Sequence, residues 1–387
     1  MATNGAINMQ KSPMFLDKNT LASIFADTDM FCGKEDVIHA IIYHHLLESG
    51  LLPSQVAREQ PVSTNRIDVV VFNEEIQGQF KNTYLLPMVA IEVKGGAYGN
   101  RNALNDEISS DGYCKDMDKL EKEVEKGITS WFICVDMPEL GRAVTREGVN
   151  KIYSQCKKRK VSFAYFCQGE EHFFYAPAGE AESNERITIN KNGGIEPGVK
   201  SILNTGNPDF NSMCEQLLKI NGHEANTTAA LYQLFRKTGL AASQISLETY
   251  FSFAKKSGSR MHDRPDLVLF DKDFDGTFNL YRKGNTGLPN DSHKMANINT
   301  ILEVKGSAAM NLKSDKARLK IYLEDIKKIK GWQAMAGAHG CKALDGYFIC
   351  LDGRKKSLPT TAVQEMFERS ENNQVVYISN RGVEIST

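Results

Sequence analysis

Two stretches, AIEVKGG at residues 90–96 and ILEVKGS at residues 301–307, contain the only two Glu-x-Lys triplets in this chain of 387 residues. The apolar and β-branched residues around each triplet predict a buried strand. Alternate side chains of a strand point to the same face, so Glu92 and Lys94 project together while Val93 points into the core. Each strand therefore presents a carboxylate beside an ammonium group.

A second acidic residue lies within an apolar run upstream of each triplet. Asp68 occurs in NRIDVVVFN (65–73), and Asp266 occurs in DRPDLVLFD (263–271). Burying an unpaired carboxylate is costly, so each of these residues needs a partner or a metal ion. The same requirement applies to Glu303 and Lys305.

These stretches belong to five blocks that occur twice in the same order. The offset is constant inside a block and changes between blocks, in Gly-, Asn- and Ser-rich stretches that tolerate insertions. The paired blocks are 35–55 with 224–244, 65–73 with 263–271, 90–96 with 301–307, 113–120 with 322–329, and 131–136 with 347–352. This pattern indicates a duplicated domain and disfavours the alternative of two unrelated α/β domains.

The repeat also suggests where the domains begin and end. We expect an N-terminal leader at 1–30, a first domain at 31–190, a linker at 191–204 and a second domain at 205–387. Each copy reads as helix, strand, strand, helix, strand, and the first helix of each copy is expected to end at a glycine. The predicted fold class is α/β, with a central mixed sheet flanked by helices in each domain.

Carboxylates that converge from adjacent strands are hard oxygen ligands of the kind that Mg²⁺ prefers. An ion held there can stabilise charge on a scissile phosphate and help to generate hydroxide. The neighbouring lysine can orient that water or stabilise the pentavalent oxygens. Glu35, which opens the preceding helix, is a candidate for a second ion or a metal-bound water.

The order Glu, strand Asp and Glu-Val-Lys resembles the PD-(D/E)xK, or restriction-endonuclease-like, nuclease superfamily, and both copies have it. Pro265 and Asp266 match this pattern more closely than Ile67 and Asp68, where isoleucine replaces the proline. The resemblance implies two tandem restriction-endonuclease-like domains with an αβββαβ core. It also implies dependence on Mg²⁺, for which Mn²⁺ can substitute, and products with 5′-phosphate and 3′-hydroxyl ends.

By position, the resemblance gives each copy one catalytic set. The first set is Asp68, Glu92 and Lys94 with Glu35 in support, and the second is Asp266, Glu303 and Lys305 with Glu224 in support. The metal ligands it implies are Asp68 and Glu92 in the first set and Asp266 and Glu303 in the second.

Bulk composition narrows the class of protein only slightly. A net charge of −1 does not favour nucleic-acid binding, so any attraction to phosphate must come from local patches. There is no secretory signal and no apolar run of about 18 residues that would span a membrane, and a cytoplasmic protein is expected. The eight cysteines lack the spacing of a zinc site or a disulfide framework.

Three histidines and two cysteines are predicted to be structural. His39, His44 and His45 lie on the first helix, and adjacent helical residues point in different directions, which disfavours a shared ion. We interpret these histidines as solvated or packing residues. Cys134 and Cys350 occupy equivalent strand positions and are expected to be small buried hydrophobes.

Candidate contacts to the DNA backbone are a basic run at 157–163 and a lysine-rich helix at 313–330. The polar loop at 97–112, which contains Arg101, is a candidate groove reader. Lys313 and Arg318 fall in the corresponding region of the second copy.

Two fused, similar domains can match the local two-fold axis of duplex DNA, either as a pseudo-dimeric monomer or within a homodimer. The predicted function is a type II-like restriction endonuclease that cuts double-stranded DNA, with one strand cut by each domain. One alternative is a single catalytic domain joined to a DNA-binding effector domain. Others are a repair, junction-resolving or phage-defence nuclease, and a non-catalytic DNA-binding protein.

Overall fold

The computed structural model shows two mixed β-sheets with helices packed against them, which confirms the predicted α/β class. It describes residues 16–29, 35–62, 65–78, 80, 85–95, 113–136, 144–167, 172–175, 182–183, 198–220, 223–249, 251–254, 260–271, 297–306, 313–338, 344–353 and 357–386.

The first half of the chain forms a seven-stranded sheet whose strands follow their order in the sequence. Its elements are α1 (Lys18–Asp29), α2 (Glu35–Glu48), β1 (Val56–Val62), β2 (Asn65–Val71), β3 (Val89–Gly95), α3 (Tyr113–Glu125), β4 (Thr129–Asp136), α4 (Arg146–Lys158), β5 (Ser162–Cys167), β6 (His172–Tyr175) and β7 (Glu182–Ser183). Strands β1, β2 and β3 pair antiparallel, and β3, β4 and β5 pair parallel. Strands β6 and β7 extend the sheet antiparallel.

The second half forms a six-stranded sheet in the order β15-β14-β13-β12-β11-β8 and a separate hairpin of β9 and β10. Its elements are α5 (Val199–Ile202), α6 (Pro208–Lys219), α7 (Glu224–Lys237), β8 (Ile245–Leu247), β9 (Phe251–Ala254), β10 (Arg260–Asp263), β11 (Leu267–Phe270), β12 (Ile298–Lys305), α8 (Asp315–Ala338), β13 (Asp345–Asp352), α9 (Thr360–Ser370), β14 (Gln374–Ser379) and β15 (Gly382–Ile385). Strands β8, β11 and β12 pair antiparallel, and β12, β13 and β14 pair parallel.

The two halves share the order and the pairing directions of six strands. Strands β1, β2, β3, β4, β5 and β6 correspond to β8, β11, β12, β13, β14 and β15. After the last predicted strand the structure adds α4, β5 and β6 in the first half and α9, β14 and β15 in the second. Within the predicted order it adds one strand, β1 or β8. The reason is visible in β1, which reads VAREQPV and carries two charges, so it lacks the apolar run expected of an interior strand.

Helices flank each sheet in the same order, and α1, α2, α3 and α4 correspond to α6, α7, α8 and α9. The range assigned to a leader, 1–30, contains α1, whose Leu21, Ile24 and Phe25 are buried. The range assigned to a linker, 191–204, contains α5. Helices α2 and α7 are followed by Gly50 and Gly239, which have φ values of 100° and 99°. This left-handed conformation suits glycine, and it confirms the predicted helix ends.

Helices α2 and α7 pack against each other and join the two halves. Arg58 of β1 links their first turns, because its backbone N–H donates to Asn226 Oδ1 at 2.6 Å and its Nη2 lies 3.5 Å from Asp36 Oδ1. Near their last turns, Gln233 Nε2 donates to Glu48 Oε1 at 2.9 Å. The helices therefore run side by side in the same direction. Since α2 also contacts β8 and α7 contacts β1, the contacts are reciprocal, as for two copies related by an approximate two-fold axis.

A buried ion pair between Asp27 of α1 and Arg236 of α7 strengthens this junction. Arg236 Nη2 donates to both carboxylate oxygens of Asp27 at 2.9 Å, and His45 Nε2 lies 2.9 Å from Asp27 Oδ2. Burial alone would raise the pKa of Asp27, but the bond to His45 and the charge of Arg236 lower it below its usual value. Asp27 is therefore charged and paired at neutral pH.

Replacing Arg236 with leucine is expected to lower the free energy of unfolding by about 3 kcal/mol, because the buried carboxylate loses its main partner. The loss in free energy of unfolding relative to the parent chain should be greatest at neutral pH. It should become smaller as the pH falls below about 4, where Asp27 takes up a proton. Urea unfolding measures both effects. Lys237→Ala is the control, since Lys237 is exposed and its ion pair with Asp209 spans 4.0 Å. Equal losses in the two variants would contradict the ion pair's role.

Within the described residues, no helix has the length and apolarity needed to cross a membrane.

Candidate active site

The pairing register brings the predicted acidic residues together in both halves. Val69 of β2 pairs with Ile91 of β3, and the next residues in this antiparallel register are Asp68 and Glu92. Leu267 of β11 pairs with Leu302 of β12, and the next residues are Asp266 and Glu303. Residues directly opposite each other in such a pair have Cβ atoms about 5 Å apart. Each half therefore places two carboxylates side by side.

Backbone hydrogen bonds fix the aspartate of each pair. The N–H of Val93 donates to Asp68 Oδ2 at 2.8 Å, and the N–H of Val304 donates to Asp266 Oδ2 at 2.6 Å. Both bonds use Oδ2, so each aspartate carboxylate is anchored by one oxygen to the neighbouring strand. The same bond in both halves indicates one shared geometry.

In the first site, two lysines balance the carboxylates. Lys94 Nζ lies 3.6 Å from Glu35 Oε1 and 3.0 Å from Asp116 Oδ2. Lys119 Nζ lies 3.2 Å from Glu92 Oε1 and 2.6 Å from Asp116 Oδ1. Helix α2 contributes Glu35, strand β3 contributes Glu92 and Lys94, and helix α3 contributes Asp116 and Lys119.

The second site repeats this arrangement. Lys305 Nζ lies 3.4 Å from Glu224 Oε2, 3.6 Å from Glu303 Oε1 and 3.6 Å from Asp325 Oδ2. Lys328 Nζ lies 3.4 Å from Glu303 Oε1 and also pairs with Asp325 Oδ1. All eight residues predicted from the sequence therefore lie in two equivalent clusters.

The sequence-based prediction missed Asp116 and Lys119, and with them Asp325 and Lys328. The signal was present, because the repeated blocks at 113–120 and 322–329 both contain Asp-x-x-Lys at the same positions. Residues three apart on a helix share a face. The repetition of this pattern on one helix face indicated that Asp116 and Lys119, like Asp325 and Lys328, belong to the site.

His39 was also missed as a residue of the site. It is 4% exposed, and its Nε2 lies 3.6 Å from Asp68 Oδ2, while its Nδ1 lies 3.4 Å from Arg58 Nη2. The constant offset of the block 35–55 places Thr228 at the position of His39 in the second half. Leu247 takes the position of Arg58, because it pairs with Leu267 as Arg58 pairs with Val69. The two sites therefore share their carboxylates and lysines but differ in this pair.

Two carboxylates that share one site do not both ionise readily, because the like charges repel each other. One of the two carboxyl groups therefore has a raised pKa. In the first site, burial and the charges of Asp68 and Asp116 raise the pKa of Glu92 to about 9. Burial alone would also raise the pKa of Asp68, but His39 and Lys94 lower it below its usual range. Asp68 is thus the charged member of the pair, and Glu92 is protonated at neutral pH.

In the second site, burial raises the pKa of Glu303 to about 7, with Lys305 opposing this increase. Burial and the charges of Glu303 and Glu224 raise the pKa of Asp266. Burial alone would lower the pKa of Lys305, but Glu224 and Asp266 raise it above its usual value, as Glu35 and Asp116 do for Lys94. Both motif lysines are therefore cations at neutral pH.

The donor set fits a hard divalent cation. Each site offers carboxylate oxygens from an aspartate and a glutamate on adjacent strands, which suits Mg²⁺. Glu303 Oε2 is buried and has no hydrogen-bonding partner among the described residues. A buried carboxylate oxygen without a partner is costly, and an ion would satisfy it. In the first site, Glu35, His39 and Asp68 each place one ligand atom within 4.8 Å of the others.

Ion binding is expected to displace protons from Glu92 in the first site and from Asp266 and Glu303 in the second, because only ionised carboxylates bind metal well. These raised pKa values mean that affinity for Mn²⁺ should increase between about pH 6 and about pH 8. Calorimetric titration in buffers of different ionisation enthalpy counts the protons released. An affinity that does not change over this pH range would contradict the predicted ligands.

The two sites lie at the same end of the α2–α7 pair. A cleft between the halves connects residues of the first half with the second site. It is lined by Asp36, Arg58 and Glu59 and by Glu224, Glu248 and Asp266, among others. Glu35 and Glu224 begin the two packed helices, so each site lies at the first turn of one of them.

Arg318 is buried, whereas its position in the sequence had made it a candidate for contact with DNA. Its side chain is fully buried and pairs with Asp352 and Asp315. A buried arginine with carboxylate partners is a structural residue. The loop at 97–112, including Arg101, lies outside the described residues. Lys157 and Lys158 of the basic run are exposed, whereas residues 161–163 of the same run are buried.

The remaining histidines and cysteines behave largely as predicted. His44 is buried, with its ring centroid 6.3 Å from that of Tyr232. His44 and His45, with Asp27, bring ligand atoms within 4.8 Å of one another, but Arg236 already occupies both oxygens of Asp27. Cys134 and Cys350 are fully buried, which confirms their predicted packing role.

No protein-family model matches this chain, and no curated protein matches it. Its function is therefore inferred from its own residues.

Proposed function

We propose that this protein is a Mg²⁺-dependent DNA endonuclease with one active site in each half. The observation that carries the proposal is the duplicated cluster, in which an aspartate and a glutamate from adjacent strands lie beside a lysine two residues further on. The order α2-β1-β2-β3-α3-β4 is the αβββαβ order of the superfamily that the sequence pattern resembles. We infer a cytoplasmic enzyme of the type II-like restriction class.

Asp68 and Glu92 would hold one ion, and Asp266 and Glu303 would hold the other. Such an ion supplies Lewis-acid stabilisation of the phosphate and lowers the pKa of bound water. Lys94 and Lys305 are cations placed to stabilise the developing charge on the phosphate oxygens. Glu35 and Glu224 hold these lysines by ion pairs and can accept a proton from an attacking water.

Double-stranded DNA is the proposed substrate because the two sites lie at the same end of the α2–α7 pair and the contacts between the halves are reciprocal, as for an approximate two-fold axis. The antiparallel strands of a duplex present their phosphates with the same symmetry. The proposed arrangement is a pseudo-dimeric monomer in which each half cuts one strand.

The difference between the halves favours a second candidate, in which one half cuts and the other binds DNA as an effector. His39 and Arg58 support Asp68 in the first site only. In this arrangement, one single-site variant would lose all cleavage and the other would retain part of it.

The proposal is tested by incubating supercoiled plasmid with the full chain, with and without Mg²⁺. Cleavage that requires Mg²⁺, stops with EDTA and is lost in the double variant Lys94→Ala/Lys305→Ala is the expected result. Genomic DNA, methylated and unmethylated, then distinguishes discrete bands from a smear. Absence of metal-dependent cleavage on every DNA tested would refute the proposal.

A further inference from the structure

We propose that His39 and Arg58 are positioning residues for Asp68, and that the second half of the chain holds them in place. This inference rests on the metal site of the proposed function, but it concerns how the first site is assembled. It makes the first site dependent on helix α7, whereas the second site has Thr228 and Leu247 in place of His39 and Arg58.

The contacts form a chain from α7 to the first carboxylate. Arg58 Nη1 donates to the carbonyl oxygen of Ala225 at 3.3 Å, and the backbone N–H of Arg58 donates to Asn226 Oδ1. Arg58 Nη2 reaches His39 Nδ1, whose ring leads to Asp68. Every member before Asp68 is buried or lies at the junction of the halves, so these groups have little freedom to move.

The chemistry of the guanidinium group decides the role of His39. Arginine has only donors, so its contact with Nδ1 requires a lone pair there. The proton of a neutral imidazole is then on Nε2, which faces Asp68 Oδ2. Nε2 is buried and makes no hydrogen bond within the described residues. Its distance of 3.6 Å from Asp68 Oδ2 is longer than a hydrogen bond. Such distances are common in sites without a bound ligand and shorten when the ligand binds.

His39 therefore serves Asp68 as a donor and is not itself a metal ligand. A ligating histidine normally donates its second N–H to a carboxylate or carbonyl oxygen, and Arg58 cannot accept such a bond. The N–H of Val93 already bonds Asp68 Oδ2, and a second bond from His39 Nε2 to the same oxygen would fix the plane of the carboxylate. Partners of this kind typically change metal affinity 10- to 100-fold, as an order of magnitude.

The second half shows what the first would lose. Thr228 and Leu247 stand in the equivalent positions, and neither can donate as the imidazole and the guanidinium do. His39→Thr and Arg58→Leu therefore convert the first site into the pattern of the second. His39→Gln is the conservative variant, because its amide N–H₂ can still donate to Asp68.

The test measures binding of Mn²⁺ alone, without DNA, by the electron paramagnetic resonance of the free ion. In an Asp266→Ala chain, where only the first site remains, His39→Thr and Arg58→Leu are expected to weaken Mn²⁺ about 10-fold or more, and His39→Gln to retain most of the affinity. In an Asp68→Ala chain, where only the second site remains, His39→Thr should change nothing.

A substitution in the second half provides the sharpest comparison. Asn226→Ala is expected to weaken Mn²⁺ binding at the first site, although the hydrogen bond of Asn226 is to Arg58 and not to Asp68 or Glu92. Gln233→Ala is the matched control, since Gln233 lies on the same helix and bonds Glu48 across the same junction near the last turns.

Unchanged affinity in His39→Thr, or an equal loss at both sites, would refute the positioning role and leave the proposed function intact. Failure of His39→Gln to restore affinity would assign His39 as a direct ligand and would also refute it. Absence of Mn²⁺ binding in the unsubstituted chain would refute the metal site itself.

Discussion

Plasmid treated with the Lys94→Ala or the Lys305→Ala variant is expected to accumulate as nicked circles, whereas the parent chain gives linear product. Each lysine is a partly buried cation in the acidic cluster of one site only. Removing one such charge-stabilising group typically slows the chemical step about 100- to 1,000-fold. The untouched half should continue to cut its own strand.

Exposed lysines provide the control for this assay. Lys320 is on α8 and pairs loosely with Glu324 at 3.9 Å, so Lys320→Ala should leave linear product unchanged. Linear product from both single variants would mean that one site can cut both strands. Complete loss in one variant alone would favour the arrangement with one effector half.

Gly95→Ala is expected to destabilise the first half by about 4 kcal/mol and to abolish cleavage by its site. Gly95 ends β3 directly after Lys94 and has a φ of 134°, a region that alanine rarely adopts. A Cβ atom there would lie 1.9 Å from the carbonyl oxygen of Val135 in β4. Since that oxygen belongs to the backbone, the strands themselves must separate.

Gly331→Ala is the control that distinguishes the steric clash at Gly95 from the general loss of backbone flexibility when a glycine is replaced. Gly331 lies inside α8, and among the described residues no atom outside its chain neighbours and its own helix backbone lies within 4 Å of a Cβ built there. Alanine is the better helix former, so this variant should stabilise the protein by about 0.5–1 kcal/mol. Thermal unfolding and nicking rates measure both variants. A Gly95→Ala protein with normal stability and activity would show that the close approach of β3 and β4 has no role.

The duplication made most of the fold predictable from the sequence. The strands that carry Asp68 and Glu92 are apolar runs, and their repetition in the second half fixed the order of elements. Strand β1 was missed because its Arg58, Glu59 and Gln60 look like surface residues. The packing of α2 on α7 could have been anticipated, since apolar residues surround α2 on every face and such a helix is normally buried.

The candidate site was predictable only where its residues repeat. Asp116 and Lys119 recur as Asp325 and Lys328, so a closer comparison of the two copies would have found them. His39 and Arg58 have no counterpart, and no local pattern relates a histidine on α2 to an arginine on β1. Their role depends on contacts between the halves, and the sequence carries no signal for the contact with Ala225.

The exposure of charged residues could not be judged from sequence spacing. Arg318 follows the second site in the chain as Arg101 follows the first, which indicated a surface role. Its partner Asp352 ends β13, and the two charges neutralise each other in the interior. From sequence alone, a charged residue in a helix is expected to be exposed to solvent unless its partner is known. The partner of Arg318 is Asp352, which is 34 residues away in the sequence.

The number of divalent ions bound per chain tests the central claim most directly. Calorimetric titration of the unsubstituted chain with Mn²⁺, without DNA, should give two sites. Asp68→Ala and Asp266→Ala should each leave one site, and the double variant should leave none. Two sites that persist in the double variant, or a chain that binds no Mn²⁺, would contradict the assignment of these acidic pairs as metal centres.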